Sequence, residues 1–166
     1  MYDDTAIVGV GNDAPNPRYS YVFTRSGTTW SQQQKLVASD WDDRFGVSVA
    51  IYGNNAIVGA SYYDYPGSNS INNAGAAYIF VRSGSTWTRQ ARIVASDAAS
   101  GDYFGKKVAI HDNVAIVGAS STTGSAYVFT RTGTTWTQQQ KLLASDQDSS
   151  AWYGSSVSIY NGYVLV

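Results

Sequence analysis

At 166 residues, with 43% hydrophobic and 14% charged side chains, the chain is long enough to bury a core and too apolar to be disordered. Its net charge of −1 sets up no field that would recruit nucleic acid or an anionic membrane, and the lack of cysteine removes disulfides, thiol catalysis and Cys-ligated zinc. Tyr, Trp, Val, Ile, Thr and Gly are plentiful, there is one Met, and all twelve acidic residues are aspartates; this bias toward strands and turns predicts an all-β fold.

The first strand-like run is TAIVG, from Thr5 to Gly9. After the segment Val10 to Arg18 comes YSYVFTRSGTTWSQQQKLVASD (Tyr19 to Asp40), which reads as two strands around an SGTT turn. FGVSVAIYGNNAIVGA begins at Phe45 and reads as two more, and a long insert from Ser61 to Gly75 follows. The same two blocks then return: AAYIFVRSGSTWTRQARIVASD from Ala76, FGKKVAIHDNVAIVGA from Phe104, SAYVFTRTGTTWTQQQKLLASD from Ser125 and YGSSVSIYNGYVLV from Tyr153. The Tyr19 and Ser125 copies agree at 17 of 22 positions, so the chain is a tandem repeat with a period of 59 and then 49 residues. Four strands in such a unit is the scale of a β-propeller blade and too long for a β-helix rung. The expected division is a partial blade 1–44, blades 45–103 and 104–152, and a partial blade 153–166.

Strand periodicity orders the blade. In the first run Phe45, Val47, Val49 and Ile51 alternate with Gly46, Ser48 and Ala50, and in the second Ala56, Ile57 and Val58 are apolar on both faces, as in an inner strand clamped between neighbouring sheets. In the fourth run Trp136, Gln138, Gln140 and Leu142 alternate with Thr137, Gln139 and Lys141, a polar pattern suited to an outer edge. Antiparallel order puts the loops after the second and fourth strands on one face, where nine of the twelve aspartates fall, among them Asp13, Asp102 and Asp148. The other face carries tight turns with Arg25, Arg82 and Arg131, expected as solvated turn charges.

The pairs Phe45-Gly46 and Phe104-Gly105, the variant Tyr153-Gly154, and the triplets Val58-Gly59-Ala60 and Val117-Gly118-Ala119 resemble the FG-GAP repeat, and more closely its bacterial-type form with a following W…QKL…ASD strand. The resemblance covers essentially the whole chain. It implies blades of an integrin-α-like propeller from a cell-surface or extracellular protein, working in adhesion or assembly more than in catalysis. Calcium-binding members carry a DxDxDG-type loop between the first two strands, whereas the turns here read YGNN, HDNV and YNGY and offer at most one carboxylate each. No cofactor is therefore expected, with only weak calcium binding left to Asp40, Asp42 and Asp43.

No residues read as a catalytic set, so the chain is expected not to be an enzyme. His111, the only histidine, takes the place of Tyr52 and Tyr160 in the other copies and is expected to be structural. The Asp of each ASD (Asp40, Asp97, Asp146) is expected in an Asx-type turn, with ligand binding as the other reading. Trp30, Trp87 and Trp136 recur at one strand position and read as blade packing over a stacking platform. The candidate recognition site is Tyr62, Tyr63, Asp64 and Tyr65 in the long insert, set against a self-packed loop.

The runs amount to three first, four second, three third and three fourth strands, about three blades, which do not close a ring of about four to eight. Apolar end faces are expected, built from Val8, Tyr21 and Phe23 at one end and Val157 and Ile159 at the other. The expected partners are copies of the chain or the rest of a longer one, in a ring or a filament. The expected function is a structural or adhesive module, extracellular or on the cell surface; the alternative is a lectin-like module that binds a glycan or a protein ligand through the acidic loop face. No apolar run reaches the roughly 18 residues of a membrane span, and MYDDTAIVGV lacks the marks of a signal peptide, so a secreted form is expected to be mature or partial.

Overall fold

A computed structural model describes residues 1–10, 19–38, 44–64, 71–121, 124–146 and 152–166. Among these the chain forms thirteen strands and no helix. Sheet one holds β1 (Thr5–Gly9), β2 (Tyr19–Ser26) and β3 (Thr29–Val37). Sheet two holds β4 (Phe45–Tyr52), β5 (Asn55–Ala60), β6 (Ala76–Ser83) and β7 (Thr86–Ile93). Sheet three repeats this with β8 (Phe104–His111), β9 (Val114–Ala119), β10 (Ser125–Thr132) and β11 (Thr135–Leu142), and sheet four is the hairpin β12 (Ser158–Tyr160) and β13 (Tyr163–Leu165). Every sheet is an antiparallel meander in chain order, and none closes on itself, as in successive blades of an open β-propeller.

Two cores lie between the sheets. Val22, Leu36, Phe45, Val58, Tyr78 and Trp87 fill the space between sheets one and two, and Ile57, Ile79, Phe104, Val117 and Tyr127 fill that between two and three. All six residues of β5 are buried, and neighbours along it serve opposite cores, so the apolar-on-both-faces pattern marks a strand covered from two sides. The fourth strands β3, β7 and β11 carry most of the exposed positions.

The repeated glycines are where consecutive sheets touch. A Cβ on Gly59 would collide with the backbone oxygen of Gly105, and the same clash recurs from Gly9 to Gly46 and from Gly118 to Gly154. The GA step of one blade is thus the seat for the FG bulge of the next, and Gly105 itself sits at φ 91°, a conformation that L side chains rarely adopt.

A second joint links the outer strands. Alternation along the fourth strand breaks at a bulge, because Phe80 pairs with Arg89 while Ile79 pairs with Ala91, leaving Gln90 as the extra residue; Gln33 and Gln139 hold the same place in their sheets. The bulge re-aims Gln33 and Gln90 at the following blade, whereas Gln139 donates to the Thr137 carbonyl of its own strand at 3.3 Å. Gln33 Oε1 accepts from Trp87 Nε1 at 3.0 Å, and Gln90 Oε1 from Trp136 Nε1 at 2.9 Å. Gln34 adds a two-point clamp on the Trp87 backbone, donating to its carbonyl and accepting from its N–H, both at 2.8 Å.

Arg82 and Arg131 are not the solvated turn charges expected of them. Arg131 donates to Asn113 in its own sheet at 2.7 Å and to Asn55 in the preceding sheet, also at 2.7 Å; Arg82 reaches back to the Thr5 hydroxyl at 3.2 Å. Arg25 pairs with Asp4 within sheet one. Below them Tyr2, Tyr52, His111 and Tyr160, one per repeat, form a ring column with centroid spacings of 4.6, 3.9 and 6.1 Å, which accounts for the lone histidine as a stacking member.

Asp97 also differs from expectation. Its carboxylate bridges to sheet three, accepting from the Tyr127 hydroxyl at 3.0 Å and the Lys141 ammonium at 2.7 Å. Partial burial works against the charge, but the bonds from Lys141 and Tyr127 outweigh it and hold the carboxyl below its ordinary value. Lys141 is likewise raised by Asp97 against its own burial, and Tyr127 is raised chiefly by burial. The Asp97 contribution is therefore present above about pH 4 and lost as pH falls through its lowered folded value. Those of Lys141 and Tyr127 are present below about pH 10 and lost as pH rises through their raised values. Asp97→Asn should cost about 0.5 to 1 kcal/mol at pH 7, the range of a half-exposed pair, and the gap to wild type should close toward pH 2. Urea unfolding at several pH values checks this; a gap that ignores acid would contradict the bridge.

Candidate functional site

The loops after second and fourth strands surround a cavity of about 730 Å³. Each of three successive blades contributes the residue that precedes its FG or YG step: Arg44, Tyr103 and Trp152. All three are held at positive φ (63°, 53° and 48°), so the chain accepts a sparsely populated backbone at the same place in every repeat. The bulge that follows then turns the backbone into the inner strand, and Val47 and Lys106 join the lining from its first residues.

The long insert supports this wall. Asp64 accepts from the Asn73 N–H at 2.7 Å, folding the insert back, and residues 72–74 receive backbone bonds from Gly101, Tyr103 and Phe104, each at 3.0 Å. Tyr103 is fixed by main-chain bonding, and its ring meets that of Tyr62 at 5.0 Å. The Arg44 guanidinium lies 3.5 Å over the Tyr62 ring, and Lys106 Nζ is 5.3 Å from the Trp152 ring centre.

Four serines, Ser61, Ser100, Ser120 and Ser121, also line the cavity. Ser61 and Ser120 hold equivalent places after β5 and β9, both are almost fully buried, and neither hydroxyl has a hydrogen-bond partner among the described residues. Asp102 also lines the cavity, but its Oδ2 accepts from the Ala99 N–H at 2.8 Å.

Of the three described residues singled out in the insert, Tyr62, Tyr63 and Asp64, only Tyr62 lines the cavity. Tyr63 is 4% exposed and packs in the core with Phe45 and Tyr78, at the end of a turn that its N–H closes on the Ala60 carbonyl at 3.2 Å. Asp64 closes the insert, and Tyr65 lies outside the described residues, as do Asp13, Asp40, Asp42, Asp43 and Asp148. The acidic loop face is also less free than its composition implies: Asp64, Asp97 and Asp102 all accept hydrogen bonds within the chain, while the cavity is lined by Arg44 and Lys106. A clue to the missed residues was available, since the position before each FG or YG varies among Arg, Tyr and Trp while the step itself hardly changes.

The FG bulge seated on the preceding GA step is the structural content of the repeat, and the model of one repeat family, described as the FG-GAP repeat, matches residues 30–80, 87–129 and 136–166. The chain belongs to the FG-GAP repeat family. The three matched stretches of this FG-GAP chain each begin at a fourth-strand position, at or beside Trp30, Trp87 and Trp136, and run on into the following sheet, so the matched unit spans the joint between blades. No curated protein matched the chain in a sequence search.

Proposed function

We propose that this FG-GAP chain is a non-catalytic interaction module, extracellular or on the cell surface, and part of a larger propeller or a polymeric assembly. One observation carries the reading. Residues that recur between repeats, such as the glycines, Gln33 and Gln90, Trp87 and Trp136, and Arg82 and Arg131, are engaged in joints between sheets, whereas the cavity is walled at its rim by residues that differ from blade to blade. Such a division gives a stiff frame and a face free to vary.

The end sheets support the assembly part of the reading. Val8 and Val37 on sheet one and Tyr160, Tyr163 and Leu165 on sheet four are exposed, while Val157 and Ile159, expected on that face, are half-buried. Exposed apolar area of this kind is a docking surface for a neighbouring blade. Antibody against the chain, applied to intact and permeabilised source cells and to fractionated medium, tests both parts. Label on intact cells or in the medium, sedimenting faster than the 166-residue chain alone, is expected. Signal only after permeabilisation would overturn the placement, and a free monomer would overturn the assembly.

A further inference from the structure

We propose that the cavity between blades two, three and four binds a uronic-acid unit of an acidic glycan. The inference rests on the interaction-module reading and names the ligand class of its variable face. Arg44 and Lys106 line the cavity, and among the described residues the one carboxylate in its lining, Asp102, has an oxygen taken by Ala99. The site therefore favours an anion. The Arg44 guanidinium lies 3.5 Å over the Tyr62 ring, and a guanidinium held over a ring keeps N–H donors that can fork a carboxylate.

A bare anion would not explain the rest of the lining. Trp152 is 59% exposed and, with Tyr103, offers a flat aromatic wall of the kind that covers the C–H face of a sugar ring. Ser61 and Ser120, which also line the cavity, bury hydroxyls with no hydrogen-bond partner among the described residues. A sugar acid carries hydroxyls, a C–H face and a carboxylate on one ring, and its hydroxyls match the polar part of the lining that Ser100 and Ser121 leave accessible. A neutral sugar would leave the two cations unmatched, and an acidic peptide would leave the aromatic wall and the serines unexplained.

The test is a calorimetric titration of the whole 166-residue chain with trigalacturonate and trimannuronate, against neutral galactotriose, a glutamate hexapeptide and inorganic phosphate. Saturable one-site binding of at least one uronate trimer, weakened by salt, is expected. Lys106→Gln and Trp152→Ala should each weaken it about tenfold or more, and because both side chains lie at the surface the folded chain is retained. Three results would overturn the proposal: no binding of either trimer, binding indifferent to both Lys106 and Trp152, or a neutral sugar, peptide or phosphate that binds as well. Cleavage of a bound trimer would contradict the non-catalytic reading and leave the site assignment standing.

Discussion

Gly59→Ala should cost about 3 kcal/mol, near the upper end for a single added methyl, because the new atom meets a backbone carbonyl and not a side chain that can swing away. The Gly105 oxygen is fixed by the bulge that opens β8, so relief requires moving sheet three off sheet two. Gly84→Ala is the control. It sits in a hairpin turn at φ 59° with nothing within 4 Å of a built Cβ, so only the backbone penalty of about 1 kcal/mol applies. Gly118→Ala should fall between them, since it meets Gly154, which lies in a turn ahead of the small sheet four and can yield. Urea unfolding of the three variants, with the slope checked for change, measures the order. A Gly59→Ala no worse than Gly84→Ala would mean that the GA step is a feature of its own strand and not of the joint.

The strands were legible because each is short, rich in branched and aromatic residues and closed by Gly, Asn, Asp or Ser. Repetition then fixed the four-strand unit even where single runs were ambiguous. The joints were hidden for a physical reason: counting by twos along TWTRQARI hides the bulge at Gln90, and the bulge is what aims that side chain at the next blade. Arg131 was read as a turn charge because its partner Asn55 is 76 residues away in sequence. The site was half legible. Tyrosine density drew attention to Tyr62 but equally to Tyr63, which is core, while Arg44, Tyr103 and Trp152 look like linker residues until three blades bring them to one rim.

The tryptophans give the second large effect. They occupy one position of the repeat, so if each served only its own hairpin, truncation would cost the same three times. Burial differs instead: Trp87 is 3% exposed and clamped by Gln33 and Gln34, Trp136 is half-buried with Gln90 as acceptor, and Trp30 is 39% exposed on the outer sheet. Trp87→Ala should therefore cost about 4 kcal/mol, Trp136→Ala about 2, and Trp30→Ala under about 1. Equal losses would place the tryptophan's role inside its own sheet.

The claim that the recurring residues are joints between blades is tested most directly by a double-mutant cycle across one joint, Gln90→Ala in sheet two with Trp136→Phe in sheet three. Both substitutions are at partly exposed positions, and the bond between them, 2.9 Å long, is the one interaction that each removes from the pair. A coupling of about 0.5 to 1 kcal/mol in urea unfolding is predicted, the net worth of one neutral hydrogen bond. Losses that add to within about 0.3 kcal/mol would show that the two side chains do not bind across the blades and would contradict it.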